Sequence, residues 1–321
     1  MNSYVLGMDL GGTKVMAAAF DSEGNILSRA RAKTLAWRDS EEVFETIART
    51  GQNALERAGV SPDQLVALGI GSPGPLDPET GTIIESANLN MDNFPLGLRL
   101  AERFGCPVVV ENDVNAGVYG EFRAGAARGA NDVVGLFIGT GIGGGIIING
   151  SLYHGYSKNA GEIGHIIIKA NGPRCGCGNR GCLEALASRV AMTRDIRKAI
   201  KHGTKTALSK LPNGKGELIN SRALKRAFDK GDKVAAKVVN NAARYIGISI
   251  GSLVNLLSPE VVVLGGGVIE AFGRKMMGPI EEAAREVGFE FLMRDVRIVR
   301  AELGDDAGMV GAALLARERI E

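Results

Sequence analysis

Three cysteines and one histidine lie close together near the middle of the chain. His165 is followed by Cys175, Cys177 and Cys182, with glycines between the cysteines that would let a short loop fold around one ion. Thiolate sulfur and imidazole nitrogen are ligands that Zn²⁺ prefers, and structural zinc sites are tetrahedral with four protein ligands. The spacing therefore predicts one zinc ion bound by these four side chains. Because the pattern leaves no open coordination position, the metal is predicted to be structural.

Two glutamates flank this cluster. Glu162 stands just before His165, and Glu184 follows Cys182. A metal that fixes the loop would also fix these carboxylates, which predicts that the loop helps to build a substrate pocket. The alternative is a zinc ribbon whose metal only stabilises the fold.

A glycine-rich turn follows the first apolar segment of the chain. The sequence Asp9-Leu-Gly-Gly-Thr-Lys14 places Gly11 and Gly12 where backbone N–H groups can approach phosphate oxygens closely. Thr13 adds a hydroxyl and Lys14 adds a positive charge. Asp9 ends the predicted strand, where a carboxylate can hold a metal-bound water. The pattern predicts a polyphosphate site.

A second glycine-rich turn runs from Gly139 to Gly145, after the apolar segment 133–138. Its candidate phosphate-binding residues are Gly139, Thr140, Gly141 and Gly143. A third group, Gly265, Gly266 and Gly267, follows another buried segment. Neither of the two turns fits the P-loop pattern or the dinucleotide-binding pattern, which disfavours a P-loop enzyme or a Rossmann dehydrogenase.

Asp113 is the candidate general base. It follows the apolar segment 108–110 in the sequence Glu111-Asn112-Asp113, so it should lie at the carboxyl end of a buried strand. An Asp in this position can take a proton from a hydroxyl group that attacks a γ-phosphate. The alternative is that Asp113 caps the helix that starts near Val114. The adjacent Asn112, a polar residue with no turn to make, favours the functional interpretation.

The composition favours a two-domain α/β protein of the cytosol. The chain has 321 residues, 45 % hydrophobic content and 45 glycines, which suits many tight turns between strands and helices. Its formal net charge is only +2, so no nucleic-acid or membrane partner is predicted. The sequence shows no secretory signal and no apolar run long enough for a membrane span. The clustered cysteines must stay reduced to bind metal, which also indicates the cytosol.

The order of the predicted elements suggests an internal repeat. A strand, glycine turn and strand occur at 5–20 and again at 133–148. Two such hairpins predict two related domains that face each other across a ligand cleft. We expect the first domain to span 1–119, joined by a C-terminal helix at 306–321, and the second to span 120–305. Helices are predicted at 41–58, after Asp39-Ser40 as a cap, and at 184–199.

The motifs together resemble those of the ROK family (repressor, open reading frame, kinase) within the actin-like ATPase superfamily, and most of all its bacterial glucokinases. The stretches that carry the resemblance follow the family's order over nearly the whole chain. They are Asp9–Lys14, Gly71-Ser-Pro-Gly-Pro75, Glu111–Asp113, Gly139–Gly145, Glu162-Ile-Gly-His165, Cys175–Glu184 and Leu264–Gly267. The resemblance implies the two-domain actin-like, ribonuclease H-like fold and ATP-dependent phosphorylation of the 6-hydroxyl of glucose.

The resemblance also implies a role for each matching position. Asp113 would deprotonate the sugar 6-hydroxyl, and His165 would bind both zinc and sugar. The two glycine turns would hold the phosphates of ATP with Mg²⁺, and Gly265–Gly267 would lie against adenosine. The implied sugar-binding residues are Gly74, Asn88, Asn112, Asp113, Glu162, His165 and Glu184.

Several alternatives stay open. Many sugar kinases of this group carry a tryptophan in the loop after the Asn-Leu pair, whereas this chain has Asn88-Leu-Asn90 there and Trp37 as its single tryptophan. The substrate could therefore be another hexose or an N-acetylhexosamine. A sugar-sensing regulator without activity is the alternative of a different class. The first hairpin starts so early that no DNA-binding domain is expected before it. A homodimer or homotetramer is predicted, and ADP or polyphosphate as donor stays open.

Overall fold

The computed structural model describes residues 3–86, 89–210 and 218–320. The chain forms two compact units. The first consists of Met1–Gly129, Gly145–Gly161 and Asp305–Glu321, and the second of Ala130–Gly144 and Glu162–Gly304. The boundary predicted after residue 119 falls within a continuous helix, Asp113–Ala124.

The strands and helices follow one another in mixed order. The strands are β1 (Tyr4–Leu10), β2 (Lys14–Phe20), β3 (Ile26–Lys33), β4 (Leu65–Ser72), β5 (Leu76–Asp77), β6 (Thr82–Ile83), β7 (Val108–Asn112), β8 (Val133–Ile138), β9 (Ile142–Ile148), β10 (Ser151–Leu152), β11 (Val261–Gly265) and β12 (Arg297–Arg300). The helices are α1 (Ser40–Ala58), α2 (Leu96–Phe104), α3 (Asp113–Ala124), α4 (Leu183–Ala187), α5 (Arg189–Lys201), α6 (Ser221–Asp229), α7 (Lys233–Leu257), α8 (Gly266–Phe272), α9 (Arg274–Val287), α10 (Glu290–Met293) and α11 (Ala307–Glu318).

The first sheet has the strand order β3-β2-β1-β4-β7. β1 runs antiparallel to β2 and parallel to β4, and β4 runs parallel to β7. In this register Asp9 lies opposite Gly71, and Gly71 lies opposite Glu111. The carboxyl ends of three neighbouring parallel strands therefore carry three of the sequence motifs to one edge of the sheet.

Helix α1 covers one face of this sheet. The Asp39 side chain accepts a hydrogen bond from the Glu42 backbone N–H at 2.9 Å, which satisfies a free donor at the helix start. The helix ends at Gly59, whose φ of 66° is a left-handed conformation that glycine adopts without strain. Phe44 and Ile47 are buried in the core below it. The predicted start and end of this helix agree with the structure.

Helix α11 covers part of the same unit through backbone contact. A Cβ atom at Gly7 would collide with the Met309 carbonyl, and one at Gly69 would collide with the Ala312 carbonyl. A Cβ atom at Gly311 would likewise collide with the carbonyl of Ala116 in α3. Glycine is required at these positions because it lets the helix lie directly on β1, β4 and α3.

The second sheet has the order β10-β9-β8-β11-β12, in which β8, β11 and β12 are parallel. The β11 strand is fully buried from Val261 to Gly265, as expected for an inner parallel strand. Helices α7 and α9 of the second unit pack closely, since a Cβ atom at Gly247 would collide with the Ile280 carbonyl. No helix in the described ranges is long and apolar enough to cross a membrane.

Two sequence-based predictions about local structure are wrong. The glycine turn predicted at 139–145 is shorter, because β9 already starts at Ile142 and includes Gly143. The helix predicted at 184–199 is interrupted at Ser188, whose side chain accepts from the Ala191 backbone N–H at 3.1 Å and starts a new helix, α5.

Candidate functional site

Asp9 is a partly buried carboxylate at the end of β1. Its pKa is raised from 3.8 to about 7, mainly by burial and next by the nearby charge of Asp113, while Lys14 acts in the opposite direction. The start of α11 approaches it so closely that a Cβ atom at Gly308 would lie 2.9 Å from the Asp9 Cγ. The first unit therefore brings two predicted site residues, Asp9 and Asp113, within electrostatic reach of each other.

Asp113 is the first residue of α3, directly after β7. Gly71 packs against it, since a Cβ atom there would lie 3.2 Å from the Asp113 Cα. The Asp113 Oδ1 accepts from the Val114 backbone N–H at 2.9 Å. The side chain thus projects from a turn that a buried strand and a helix hold on both sides.

Asn112, rather than Asp113, is the N-cap of α3. Its Oδ1 accepts from the backbone N–H groups of Val114 at 3.0 Å and Asn115 at 3.1 Å. The argument that Asn112 has no local structural role is therefore wrong, because a free helix donor needs a side-chain acceptor. Gly74 lies beside it: a Cβ atom at Gly74 would be 3.8 Å from the Asn112 Nδ2.

The sequence motif Glu111–Asp113 predicts no separate role for Glu111. Only 4 % of it is exposed, and its carboxylate binds the Asn112 backbone N–H, the Asn115 side chain and His154. His154 also escaped the sequence analysis, because a lone histidine in a polar loop has no diagnostic spacing. Its partner is 43 residues away in the chain.

The first glycine turn joins β1 to β2. The Gly11 backbone N–H donates to the Lys14 carbonyl at 2.9 Å, whereas Gly12 and Thr13 are exposed. Lys14 Nζ lies 3.0 Å from the Asp305 carboxylate. The exposed part of the turn leaves its backbone accessible to a ligand.

The cysteines and His165 form a compact group in the second unit, and their four candidate ligand atoms lie within 4.8 Å of one another. Cys177 Sγ is 3.7 Å from Cys182 Sγ, and Cys175 Sγ is 3.6 Å from His165 Nδ1. A tetrahedron with zinc–sulfur bonds of about 2.3 Å has sulfur–sulfur edges of about 3.8 Å and sulfur–nitrogen edges of about 3.6 Å. The observed separations fit zinc.

Burial makes two of these thiols hard to ionise without a metal. It raises the pKa of Cys182 to about 12 and also raises the pKa of Cys175. The exposed Cys177 differs, because a hydrogen bond from the Asn179 backbone lowers its pKa. A cation that replaces the protons would remove this cost, which is what thiolate coordination does.

The two flanking glutamates have different surroundings. Glu184 connects the cysteine cluster to the second glycine turn: its Oε2 accepts from the Ile142 backbone N–H at 3.0 Å, and its Oε1 lies 3.8 Å from Cys175 Sγ. Glu162 is exposed, with Oε2 3.8 Å from His165 Nε2. Between them, Gly164 is pressed against the Ile142 carbonyl, where a Cβ atom would collide.

The second glycine turn is attached to the start of α5. The backbone N–H of Arg189 donates to the Gly139 carbonyl at 3.0 Å, and its guanidinium Nη2 donates to the Thr140 hydroxyl at 2.6 Å. The Arg189 Nε is buried without a partner among the described residues. An arginine at this turn was missed by the sequence analysis, although its position directly after the helix-capping Ser188 was a usable signal.

The third glycine group lies where β11 gives way to α8. Gly266 has a φ of 84° and packs on the Ile138 backbone, so a side chain there would be strained and would collide. A Cβ atom at Gly267 would meet nothing within 4 Å. One face of this turn is thus open. Asn88, the remaining predicted site residue, lies outside the described residues.

Comparison with known proteins agrees with these motifs. The ROK family model matches residues 5–319. A glucokinase of Thermotoga maritima is 36 % identical over 98 % of this chain and 98 % of the relative. A ROK family glucokinase from Streptomyces griseus, solved with glucose and AMPPNP, is 36 % identical with a TM-score of 0.84 over 98 % of this chain and 100 % of that chain. A xylose repressor of Caldicellulosiruptor bescii is 30 % identical over 96 % of this chain and 76 % of the repressor. The fold is that of the actin-like ATPases, and the chain belongs to the ROK family.

Proposed function

We propose that this protein is an ATP-dependent glucokinase that phosphorylates the 6-hydroxyl of glucose. The observation that carries the proposal is the edge of the first sheet, where Asp9, Gly71 and Glu111 align and Asp113 follows. Glucokinase relatives that match nearly the whole chain support the same activity.

Asp113 acts as the general base in this proposal. It accepts the proton of the sugar hydroxyl while the sugar oxygen bonds to the γ-phosphorus and the bond from phosphorus to the β,γ-bridging oxygen breaks. The proton on Asp113 then passes to solvent. The rigid connection from β7 to α3 serves this role because it fixes the carboxylate before substrate arrives.

Asp9 and Asp113 suit a divalent cation. Both offer carboxylate oxygens, the ligands that Mg²⁺ prefers, and the raised pKa of Asp9 reflects its burial and the nearby negative charge of Asp113. Mg²⁺, when bound with ATP, would neutralise charge on the transferred phosphoryl group. Asp9 would bind it, directly or through water.

The glycine turns bind the nucleotide in this proposal. Gly11, Gly12, Thr13 and Lys14 in the first turn, and Gly139, Thr140, Gly141 and Gly143 at the second, contribute to the phosphate site. The shortened second turn leaves Gly143 in a strand, so its contribution would come from the β9 backbone. Arg189 adds a charge beside Thr140 that the motif did not include. Gly265, Gly266 and Gly267 form the surface for adenosine.

Polar groups bind the sugar hydroxyls in this proposal. The candidates are Gly74 through its backbone, Asn88, Asn112, Glu162, His165 and Glu184. Ligation of zinc through His165 Nδ1 would leave Nε2 for a sugar hydroxyl. A structural zinc ion would hold this histidine and Glu184 in place, since the cysteine cluster contacts both.

One coupled assay tests the activity. Purified protein is supplied with ATP and Mg²⁺ and with glucose, mannose, fructose or an N-acetylhexosamine in turn. Highest kcat/KM with glucose is expected, and a preference for another sugar would assign the protein to that sugar instead. Replacing ATP by ADP or polyphosphate identifies the donor. Sugar binding by calorimetry without any turnover would favour the sugar-sensing regulator.

Self-association into a homodimer or homotetramer is part of the proposal. The second unit exposes Leu256, Phe289 and Phe291, each more than half accessible, and the two phenylalanine rings stack with centroids 5.9 Å apart. Clustered exposed apolar side chains commonly mark a contact with another chain. Light scattering after size-exclusion chromatography measures the state, and a monomeric mass would refute self-association.

A further inference from the structure

The carboxylate of Glu111 is a buried three-way junction in the first unit. Its Oε1 accepts from the Asn112 backbone N–H at 2.8 Å and from the Asn115 Nδ2 at 3.0 Å. Its Oε2 lies 2.7 Å from the Nε2 of His154. The junction therefore ties the end of β7 and the first turn of α3 to the segment 145–161, and Asp113 lies between its attachment points.

We propose that His154 is a positioning residue for phosphoryl transfer, which holds Glu111 and thereby fixes the turn that carries Asp113. This inference rests on the proposed glucokinase activity. His154 touches neither substrate nor reacting atoms. It acts through Glu111, whose hydrogen bond sets the direction of the Asn112 peptide immediately before the base.

Charge makes the histidine important to this junction. A buried carboxylate close to other acidic groups is costly unless a donor or a cation compensates it. The described groups that supply donors to Glu111 are amides and His154, so His154 is the one that can carry a positive charge. His154 thus compensates the buried charge of Glu111.

The protonation of His154 depends on groups from two elements. The hydrogen bond with Glu111, on β7, raises the pKa of His154, whereas burial and the charge of Lys158, on its own segment, lower it. Lys158 is itself paired with Glu79 at 2.7 Å. Because the pKa is raised in the folded state, the ion pair is complete below about pH 6.5 and is lost as pH rises through the raised value. A neutral imidazole can still donate from Nε2, so this loss is partial.

Two substitutions at His154 separate positioning from simple packing. His154→Ala removes the donor to Glu111, whereas His154→Gln replaces it with an uncharged amide of similar reach. We expect kcat to fall about 10-fold or more in H154A, the scale expected when a base is misplaced by a fraction of an ångström, with KM for glucose within about threefold of the parent. H154Q should recover kcat to within about threefold and lack the alkaline decline of the parent's pH profile.

Lys158→Ala is the matched control, since it removes the neighbouring cation of the same segment and should leave kcat within about twofold. Hydrogen exchange of the 111–115 backbone amides measures the positioning independently of turnover: protection should fall in H154A and return in H154Q. Melting temperatures identify any variant that is merely unfolded. If the His154 variants do not fold, the Glu111→Gln protein, in which the carboxylate charge is removed, is measured instead. Its kcat should lack the decline at alkaline pH.

The outcomes are distinct for the two proposals. A parent protein without phosphotransfer to any sugar overturns the proposed function, while the exchange data still decide whether His154 orders the turn. An active parent whose H154A variant keeps full kcat and full protection overturns the role of His154. Equal losses in H154A and H154Q, with no rescue of protection, show a packing role and also overturn it.

Discussion

The turn that carries Asp113 and the loop that carries the cysteines both hold carboxylates, but they are ordered by different means. The turn lies between a buried strand and a helix, and Asn112, Asn115 and Glu111 satisfy its polar groups. The loop from Glu162 to Cys182, which leads into α4 and Glu184, has only a single turn of 3₁₀ helix at Ile163–His165 and two isolated strand bridges within the described residues. Its small core consists of Cys175, Cys182 and Ala185.

From this difference we expect that one unit places its acid without an ion, whereas the other needs a bound metal to place its carboxylates. A register between parallel strands fixes Asp113 as soon as the sheet forms. His165 and Glu184 are held instead by a loop with little apolar burial of its own, and the proposed zinc ion would supply the missing free energy of ordering. The two regions should therefore respond very differently to substitution and to metal removal.

The largest expected effect is at the turn. Asp113→Asn keeps a polar side chain of nearly the same shape and removes the base, so kcat should fall about 10²-fold or more. KM for glucose should stay within about threefold, and the melting temperature should barely change because the cap belongs to Asn112. Steady-state kinetics with a coupled assay measure both constants. Turnover within threefold of the parent protein would remove Asp113 from the role of base.

Zinc removal should affect the loop and spare the turn. Metal analysis is expected to give one zinc ion per chain, and chelation should weaken glucose binding about 10-fold or more while lowering the melting temperature. Because burial raises the pKa of Cys182 to about 12, zinc binding must release protons, and the affinity for zinc should fall as pH falls.

Cys106→Ala provides the control for zinc binding, because this buried cysteine lies outside the cluster. It should retain one zinc ion, whereas Cys182→Ser should lose it. Unchanged glucose affinity in fully zinc-free protein would show that the loop is ordered without metal, and the contrast between the two regions would then disappear.

A smaller effect is expected at the second glycine turn. Arg189→Ala removes a guanidinium bonded to Thr140 and should raise KM for ATP about 10-fold, with KM for glucose nearly unchanged. Arg194→Ala, on the same helix, removes an arginine that bonds the Ala185 carbonyl and should leave KM for ATP within about twofold. Equal effects of the two substitutions would mean that Arg189 only supports the helix.

The smallest effect concerns the stability of the nucleotide-free protein. The pKa of Asp9 is about 7 in the folded protein, whereas its ordinary value is 3.8. Between these two pH values the folded state therefore binds more protons than the unfolded state. Stability should therefore fall as pH rises through this window. Asp9→Asn should remove the slope and raise the melting temperature at pH 8 by about 2–4 °C. Identical pH profiles for both proteins would show that Asp9 ionises normally.

Much of the first unit follows directly from sequence. The strands β1 and β7 are mainly apolar and lead into the polar motifs that begin at Asp9 and Glu111, and α1 has both a capping Asp39 and a terminal Gly59. The sequence also indicates the candidate metal-binding group that the structure brings together, because three cysteines so close to one histidine have few other uses. In these cases a local pattern contains the whole signal.

Other structural features could not be predicted from a local sequence pattern. Glycines at the second turn looked like one long turn, but Gly145 is in a strand, where a Cβ atom would lie 3.0 Å from Val118. Helix α9 was missed because Gly278 and Pro279 interrupt its pattern, and its packing on α7 outweighs that cost. The contact between Glu111 and His154 joins distant segments, which a single sequence does not reveal.

The close packing of α11 on glycines of β1 and β4 has a consequence for the order in which this protein folds during synthesis. The elements that α11 covers, β1, β4 and α3, are synthesised first. The backbone on which α11 packs stays uncovered until residues 307–318 have been synthesised. At ordinary elongation rates that interval is about 10–40 s. All strands and helices of the second unit have been synthesised before α11, because the last of them is β12. We therefore expect the first unit to complete its fold only after α11 has been synthesised, when the strands and helices of the second unit are already present.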